Sequence, residues 1–134
     1  MQIEVFSYTM ASWAFFDYCS RRGENEILVW LNSLPIKAKA KINARIIALQ
    51  GFPIFPEQYF SAYKTWDDLY ELRIVFANVA YRPFGFYGPG RKDFSLLVGG
   101  IEKGKIPVRL LEVADERRKI VIADPTRVRR HDFS

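Results

Sequence analysis

The side chains available for chemistry in this chain belong to a narrow set of types. Its 134 residues include one cysteine, Cys19, and one histidine, His131. A single cysteine excludes an internal disulfide and a cysteine-based zinc site, and a single histidine excludes a histidine-rich metal centre. Acid–base chemistry would therefore depend on Glu, Asp, Lys, Arg and Tyr, and we expect no metal or other cofactor. We expect Cys19 to be a small buried side chain and His131 to be an exposed residue of a C-terminal tail.

Positive charge is concentrated in the middle and at the end of the chain. The formal net charge is +5, yet residues 1–36 carry more acidic than basic side chains, so the excess of Lys and Arg lies in 37–134. This basic character is common on ordinary solvated surfaces, and it would also suit binding to an anionic partner such as nucleic acid. Charge alone does not choose between these two interpretations.

The length and composition indicate a single folded domain. A chain of 134 residues with 49% hydrophobic and 16% aromatic residues can bury an ordinary core without disulfides or metal. No run approaches the ~18 apolar residues of a membrane-spanning helix. The N-terminus also lacks a basic region followed by an apolar one, as a secretory signal would have. We therefore expect one cytoplasmic domain over 1–134, with no membrane partner.

Two strands and two helices are predicted in the N-terminal half. Gln2–Tyr8 and Trp13–Tyr18 are rich in β-branched or aromatic residues, which favours strands. Asn25 is a typical helix N-cap, and the apolar spacing after it predicts a helix over 25–33. A second helix is predicted over 36–50.

The segment 36–50 combines two periodicities. Apolar and basic residues alternate along it, which is typical of a strand, but that strand would be roughly twice the usual length. Its Ala and Lys content favours a helix, and Pro35 suits the first turn of one. In a helix, Lys37, Lys41 and Arg45 lie along one exposed side, where they either face water or contact RNA phosphates.

Three strands and a final helix are predicted in the C-terminal half. After a packed loop over 52–68, the predicted strands are Leu69–Phe76, Val79–Tyr87 and Asp93–Ile101. The short turns between them predict an antiparallel meander, followed by a helix that Pro107 opens and by a polar tail over 123–134. Helices that cover one face of such a sheet give an α+β fold, with a helical hairpin packed on the three-stranded meander. The core then covers about 13–122, and 1–12 is an N-terminal extension.

Short motifs follow one another along the chain in a characteristic order. They are Leu31-Asn32-Ser33-Leu34-Pro35, Leu69-Tyr70-Glu71-Leu72-Arg73, Ala80-Tyr81-Arg82, Gly90-Arg91-Lys92 and Glu102-Lys103-Gly104-Lys105 before Pro107. With the element types around them, these motifs resemble the RelE/ParE superfamily of toxin–antitoxin toxins. They look most like its phage-derived HigB-like branch, and the resemblance covers about residues 13–122.

The resemblance implies a toxin that cleaves mRNA on the ribosome without metal, by attack of the RNA 2′-oxygen on the adjacent phosphate. It implies the ribosome, mRNA and an antitoxin with a helix-turn-helix domain as partners, and it leaves a homodimer open. The catalytic candidates that follow from it and from the chemistry are Arg82, Lys103, Arg73, Glu71 and Tyr81. The RNA-binding candidates are Lys37, Lys41, Arg45, Lys64, Arg91 and Lys105.

Each catalytic candidate also has a structural interpretation. Glu71 and Arg73 lie two residues apart on one strand face, where they would form an ion pair. Arg82 would pack its aliphatic stem against aromatic neighbours, and Tyr81 would belong to the core.

Some features depart from the toxin pattern. Pro83 and Gly85 interrupt a predicted strand and indicate a bulge or an edge. The chain also lacks the lysine pair and the histidines that some members of the superfamily carry. A non-catalytic prophage protein that binds only antitoxin or RNA therefore stays open, as does a ParE-like poison of DNA gyrase.

Overall fold

A mixed β-sheet lies at the centre of the molecule, with helices on both sides. The computed structural model describes residues 13–56, 60–62, 66, 68–102 and 105–134. The predicted strand Gln2–Tyr8 and the candidates Lys64 and Lys103 therefore lie outside the described residues. The strands are β1 (Ala14–Tyr18), β2 (Phe60–Ala62), β3 (Tyr70–Leu72), β4 (Ile74–Phe76), β5 (Val79–Tyr87), β6 (Asp93–Glu102) and β7 (Val128–Arg130). The helices are α1 (Glu26–Asn32), α2 (Ile36–Gln50) and α3 (Val108–Ala123), and a 3₁₀ turn covers Pro125–Arg127.

The order of the strands across the sheet differs from their order in the chain. The sheet runs β2-β3-β5-β6-β1-β7, and β4 pairs with β5. β1 pairs parallel with β6, whereas the other neighbouring strands of the described residues pair antiparallel. The N-terminal strand, the helical pair, the mixed sheet and the C-terminal helix confirm the α+β class.

The prediction of a helix over 36–50 is confirmed, because α2 has these bounds. Apolar burial follows the helical period and not the alternation in the sequence. The buried apolar residues are Ala38, Ile42, Ile46 and Leu49. The predicted cap of α1 is also present, since the Asn25 side chain accepts hydrogen bonds from two backbone N–H groups of the first turn. In the part of the chain that the structure describes, no helix has the length and apolar character to cross a membrane.

The helices cover both faces of the sheet, and the prediction of one covered face is wrong. α1 and α2 pack on one face, in a core with Phe15, Leu72 and Tyr81 that we term the hairpin core. α3 packs on the other face with Phe84 and Leu97, and we term this the α3 core. Neighbouring residues of a strand thus point to different cores, because side chains alternate along it. The final helix itself was predicted, but its position on the second face of the sheet was not.

The C-terminal segment belongs to the sheet, so the prediction of a polar tail over 123–134 is wrong. β7 pairs antiparallel with β1, and its Val128 is buried in the α3 core. The other two residues of β7 are exposed arginines, which gives this edge strand the composition of a tail. His131 follows directly and is buried, with its Nδ1 2.6 Å from Oδ1 of Asp17. Its predicted exposure is therefore also wrong.

Other strand boundaries differ from the sequence-based ones in detail. The predicted strand Leu69–Phe76 divides into β3 and β4 at Arg73, and the predicted loop over 52–68 contains β2. The bulge indicated by Pro83 and Gly85 is confirmed, because the β5–β6 register shifts immediately before Gly85. Pro83 itself stays in register with Gly99, before the shift.

Replacing Gly85 with alanine should lower the free energy of unfolding by about 1–3 kcal/mol, the usual cost of overpacking. A Cβ at this position would overlap the backbone carbonyl of Ser95 and lie 2.6 Å from the ring of Phe94. Gly51→Ala is the matched control, since its Cβ would meet the carbonyl of Ala48 at an ordinary 3.6 Å. Urea unfolding of both variants checks this, and equal free energies of unfolding would contradict it.

Candidate functional site

Arg82 and Glu71, two of the predicted catalytic residues, form an ion pair on the α3 side of the sheet. Nη1 of Arg82 lies 3.5 Å from Oε2 of Glu71, and the two side chains are 17% and 11% exposed. Because the pair is mostly covered, solvent screens its attraction less than that of a surface pair. Nε of Arg82 has no hydrogen-bond partner among the described residues. Because this nitrogen is buried, a ligand would have to bind the terminal nitrogens of the guanidinium.

Arg73 lies beside this pair in the strand register. β4 aligns Ile74 with Tyr81, and the same register continued by one residue places Arg73 opposite Arg82. The Arg73 side chain is exposed, and its backbone carbonyl accepts a hydrogen bond from Arg45 at 3.3 Å. Two of the predicted cations therefore share neighbouring positions of the sheet. We term Arg73, Arg82 and Glu71 the arginine site.

The first turn of α3 borders the arginine site. Arg82 is paired with Gly100 across β5 and β6, and a Cβ on Gly100 would overlap the side chain of Leu110. The helix thus lies directly over the sheet beside Arg82. Lys105 is exposed shortly before the start of α3. Lys103 precedes it in the chain and lies outside the described residues, so its role stays a prediction.

Tyr81 is not brought together with the arginine site. Its side chain belongs to the hairpin core and is buried, whereas Arg82 points to the opposite face of the sheet. The sheet itself separates the phenol from any substrate that Arg82 contacts. A catalytic role for Tyr81 does not fit this position, and the structural interpretation does.

Tyr87 lies at the far end of β5 in a cluster of rings. Its ring centroid is 5.0 Å from that of Tyr70 and 5.3 Å from that of Phe94. Burial, with a smaller contribution from Tyr70, raises the pKa of Tyr87 to about 12. The phenol therefore keeps its proton at neutral pH, which makes it unsuitable as a general base.

Two basic residues of α2 bind the backbone of the neighbouring strand region. Nζ of Lys41 donates to the carbonyl of Val75 at 2.7 Å, and Arg45 donates to the carbonyl of Arg73. These bonds occupy the carbonyls of Arg73 and Val75, a structural role that the helical spacing did not indicate. Lys37 is exposed one turn earlier on the same helix.

Arg91 also lies away from the arginine site. It is exposed in the turn between β5 and β6, at the opposite end of the hairpin from the Arg82–Gly100 pairing. Lys64, the remaining RNA-binding candidate, lies outside the described residues. The RNA-binding candidates that the structure describes are therefore spread over several parts of the surface.

A buried polar cluster was not predicted from the sequence. Oδ1 of Asp17 lies 2.6 Å from Nδ1 of His131, whose Nε2 lies 2.8 Å from Oδ1 of Asn43. Oδ2 of Asp17 accepts hydrogen bonds from Asn25 and from the backbone N–H of Asp132. The cluster joins β1, α2, the cap of α1 and the C-terminal segment. Its one sequence signal is a lone carboxylate, Asp17, within an aromatic strand.

The N-terminal strand, the two layers of helix and the mixed sheet define a small α+β protein. The family that its sequence matches belongs to the RelE/ParE toxin-like group. Residues 29–119 match the family described as "Phage derived protein Gp49-like (DUF891)". The chain belongs to this phage-derived family. Comparison with curated proteins and with solved structures gives no match. The resemblance drawn from the motifs is thus confirmed for the group, whereas the HigB-like branch stays a prediction.

Proposed function

We propose that this protein is the toxin of a type II toxin–antitoxin pair and that it cleaves mRNA on translating ribosomes. The observation that carries the proposal is the mostly covered ion pair of Arg82 and Glu71. Arg73 lies next to this pair if the β4–β5 register is continued by one residue. Membership of a phage-derived family in the RelE/ParE toxin-like group supports it. Because one fold can host several activities, the proposal depends on this site more than on the architecture.

The proposed reaction is a transesterification within the RNA. The 2′-oxygen attacks the adjacent phosphorus and the bond from phosphorus to the 5′-oxygen breaks. The products are a 2′,3′-cyclic phosphate and a 5′-hydroxyl. Negative charge accumulates on the phosphoryl oxygens, and a guanidinium suits this charge because its planar donors bind two oxygens and it stays protonated. Arg82 takes this role, and Arg73 binds a neighbouring phosphate.

Proton transfer needs two further groups in this proposal. Glu71 accepts the 2′-proton as the general base, and its carboxylate lies 3.5 Å from Nη1 of Arg82. The same ion pair fixes the direction of the guanidinium. Lys103 is assigned the protonation of the leaving 5′-oxygen. The assignment rests on its place in the sequence, between the end of β6 at Glu102 and the start of α3.

The proposed partners are the ribosome, mRNA and a helix-turn-helix antitoxin, all in the cytoplasm. Lys37 and Lys105 are the candidates for contact with ribosomal RNA, because both are exposed. Lys41 and Arg45 are weaker candidates, because each already binds a backbone carbonyl.

A non-catalytic protein that binds only antitoxin or RNA is the second candidate. It is favoured by the position of His131, the chain's one histidine, which is enclosed with Asp17 and Asn43. The pairing of Arg82 with Glu71 favours it as well, since a phosphate must compete with that carboxylate.

Inducible expression in a bacterial host separates these candidates. An mRNA endonuclease should arrest growth and create new mRNA 5′ ends inside coding regions, mapped by primer extension, and the ends should disappear when the message is not translated. Gyrase-dependent DNA breaks without new 5′ ends would instead indicate a ParE-like poison. Tight antitoxin binding with neither kind of cleavage would favour the non-catalytic protein.

A further inference from the structure

The outward face of α2 carries an apolar stripe that none of the described elements covers. Its residues are Ile36, Ala40, Ala44 and Ile47, all of them exposed, and we term them the outer stripe. The two isoleucines are 87% and 59% exposed, which is unusual for side chains of this size. Phe52 and Ile54 follow directly after the helix and are exposed as well. An exposed apolar surface of this extent is typical of an interaction site.

The outer stripe repeats the spacing of the buried stripe of the same helix. The buried residues Ala38, Ile42, Ile46 and Leu49 recur at i, i+4, i+8 and i+11. The outer stripe has the same spacing and begins two residues earlier. Because two residues rotate a helix by about 200°, the two stripes lie on opposite faces. The alternation of apolar and basic residues along 36–50 therefore arises from two interleaved helical stripes, whereas a surface helix typically has one.

The side chains of the outer stripe give it the shape of a shallow groove. Ala40 and Ala44 lie in its middle and present only methyl groups, whereas Ile36 and Ile47 project further at its two ends. A helix of this length extends for about 22 Å, enough for about four turns of a partner helix to lie along it. Helices that bind membrane surfaces instead carry bulky Trp, Phe and Leu on the apolar face. The shape thus fits the large side chains of a partner helix.

Positive charge surrounds the outer stripe. Residues 27–56 contain no Asp or Glu and four cations, namely Lys37, Lys39, Lys41 and Arg45. Lys37 and Lys41 lie along one side of the stripe, and within the described ranges neither has a carboxylate within 4.0 Å. Lys41 donates to the backbone carbonyl of Val75, which has no net charge to offset the ammonium. The charge of Lys39, on the other side, acts on the carboxylate of Asp132.

We propose that the outer stripe binds an amphipathic helix of a partner protein, which has large apolar side chains on one face and Asp or Glu beside them. The apolar face would cover Ile36 and Ile47, and the carboxylates complement Lys37 and Lys41. A second copy of this chain is disfavoured, because it would bring together two segments with four cations and no carboxylate each. RNA would pair with the lysines but offers the isoleucines no aliphatic surface. The inference does not depend on ribonuclease activity.

Fluorescence anisotropy with the full chain tests the proposal. The probe is a labelled helical peptide of about five turns, with Leu along one face and Glu on both sides of that face. Its control has Lys in place of every Glu and keeps the leucines. The acidic peptide should bind with a Kd on the order of 100 μM, and the basic peptide should not bind.

Three substitutions at exposed positions locate the binding. Ile47→Gln should weaken binding of the acidic peptide about tenfold, because it removes an apolar end of the groove. Ile122→Gln is the matched control, since Ile122 lies on α3 and is 57% exposed, and it should leave the Kd unchanged. Ala40→Lys should also weaken binding, although it adds a positive charge, because its side chain fills the shallow middle of the stripe.

Equal binding of the two peptides, wild-type affinity of Ile47→Gln, or tighter binding by Ala40→Lys would overturn the proposal. The last result would show that charge alone attracts the peptide. A dimer of the wild-type chain in sedimentation velocity that Ile47→Gln dissociates would also overturn it and assign the stripe to a second copy. Displacement of the peptide by vesicles that contain phosphatidylserine would assign the stripe to a membrane surface instead.

Discussion

Replacing His131 with alanine should lower the free energy of unfolding by about 3–5 kcal/mol, because it truncates a large buried ring and removes a hydrogen-bond partner from a buried carboxylate. The imidazole lies 2.6 Å from the carboxylate of Asp17, a residue with no exposed surface. Alanine would remove that contact and the one to Asn43, and leave a cavity between the sheet and α2. A loss of this size is a large share of the ~5–15 kcal/mol that stabilises an ordinary domain.

Urea unfolding of His131→Ala measures this loss. Phe133→Ala is the control, because Phe133 is 42% exposed. Its ring packs nearly perpendicular to the His131 ring, with 4.6 Å between the ring centroids. This substitution should cost about 1 kcal/mol or less. Adding Asp17→Asn to His131→Ala should recover part of the loss, since it removes the buried charge. If His131→Ala costs no more than Phe133→Ala, the polar cluster does not hold the C-terminal segment.

Replacing Arg82 with alanine should reduce the rate of mRNA cleavage by about 100-fold or more, the effect expected for the loss of a preorganised donor to a developing oxyanion. Arg82 is the mostly covered arginine of the site, and its Nε has no hydrogen-bond partner among the described residues. Arg82→Lys should also lose most of the activity, because an ammonium cannot bind two phosphoryl oxygens as the guanidinium does.

Stability must be measured beside activity for these variants, because alanine at position 82 also removes the charged partner of Glu71. Arg82→Lys keeps the positive charge and should unfold close to the wild-type urea concentration. Arg22→Ala removes an arginine from an exposed turn and should cleave mRNA at the wild-type rate. Wild-type cleavage by Arg82→Ala would exclude Arg82 from the reaction.

Periodicity and local signals in the sequence were sufficient to predict most of the helices and strands. The cap at Asn25, Pro35 in the first turn and the apolar spacing after each of them placed α1 and α2, because these signals act within a few residues of the chain. The turn at Asn78, which has φ of 65°, separated β4 from β5 for the same reason.

Long-range pairing was the part that the sequence did not reveal. β7 was missed because an edge strand with two exposed arginines has the composition of a tail. The role of His131 depends on Asp17, 114 positions away in the chain, and no local pattern connects them. The position of α1 and α2 on one face of the sheet and of α3 on the other also depends on contacts between distant parts of the chain.

The part of the candidate site that lies on neighbouring strands of the meander was predictable from the sequence. Arg73 and Arg82 have positions that the meander already implied, and the β4–β5 register, continued by one residue, aligns them. Tyr81 was included because it precedes Arg82 in the motif, but adjacent residues of a strand point to opposite faces. Lys41 and Arg45 were taken as free surface cations, since backbone carbonyls that accept from them are invisible in a sequence.

The central claim is that the arginine site cleaves RNA by attack of the 2′-oxygen, and one assay with purified protein tests it directly. An end-labelled mRNA is translated in a reconstituted system with the wild-type protein or Arg82→Ala, and the termini of any fragments are analysed. We expect fragments with 2′,3′-cyclic phosphate and 5′-hydroxyl ends from the wild type only when ribosomes are present. A 2′-deoxy nucleotide at the mapped cleavage position should block that cut. Full-length mRNA after incubation of the wild-type protein with translating ribosomes, or equal cutting by Arg82→Ala, would contradict the claim.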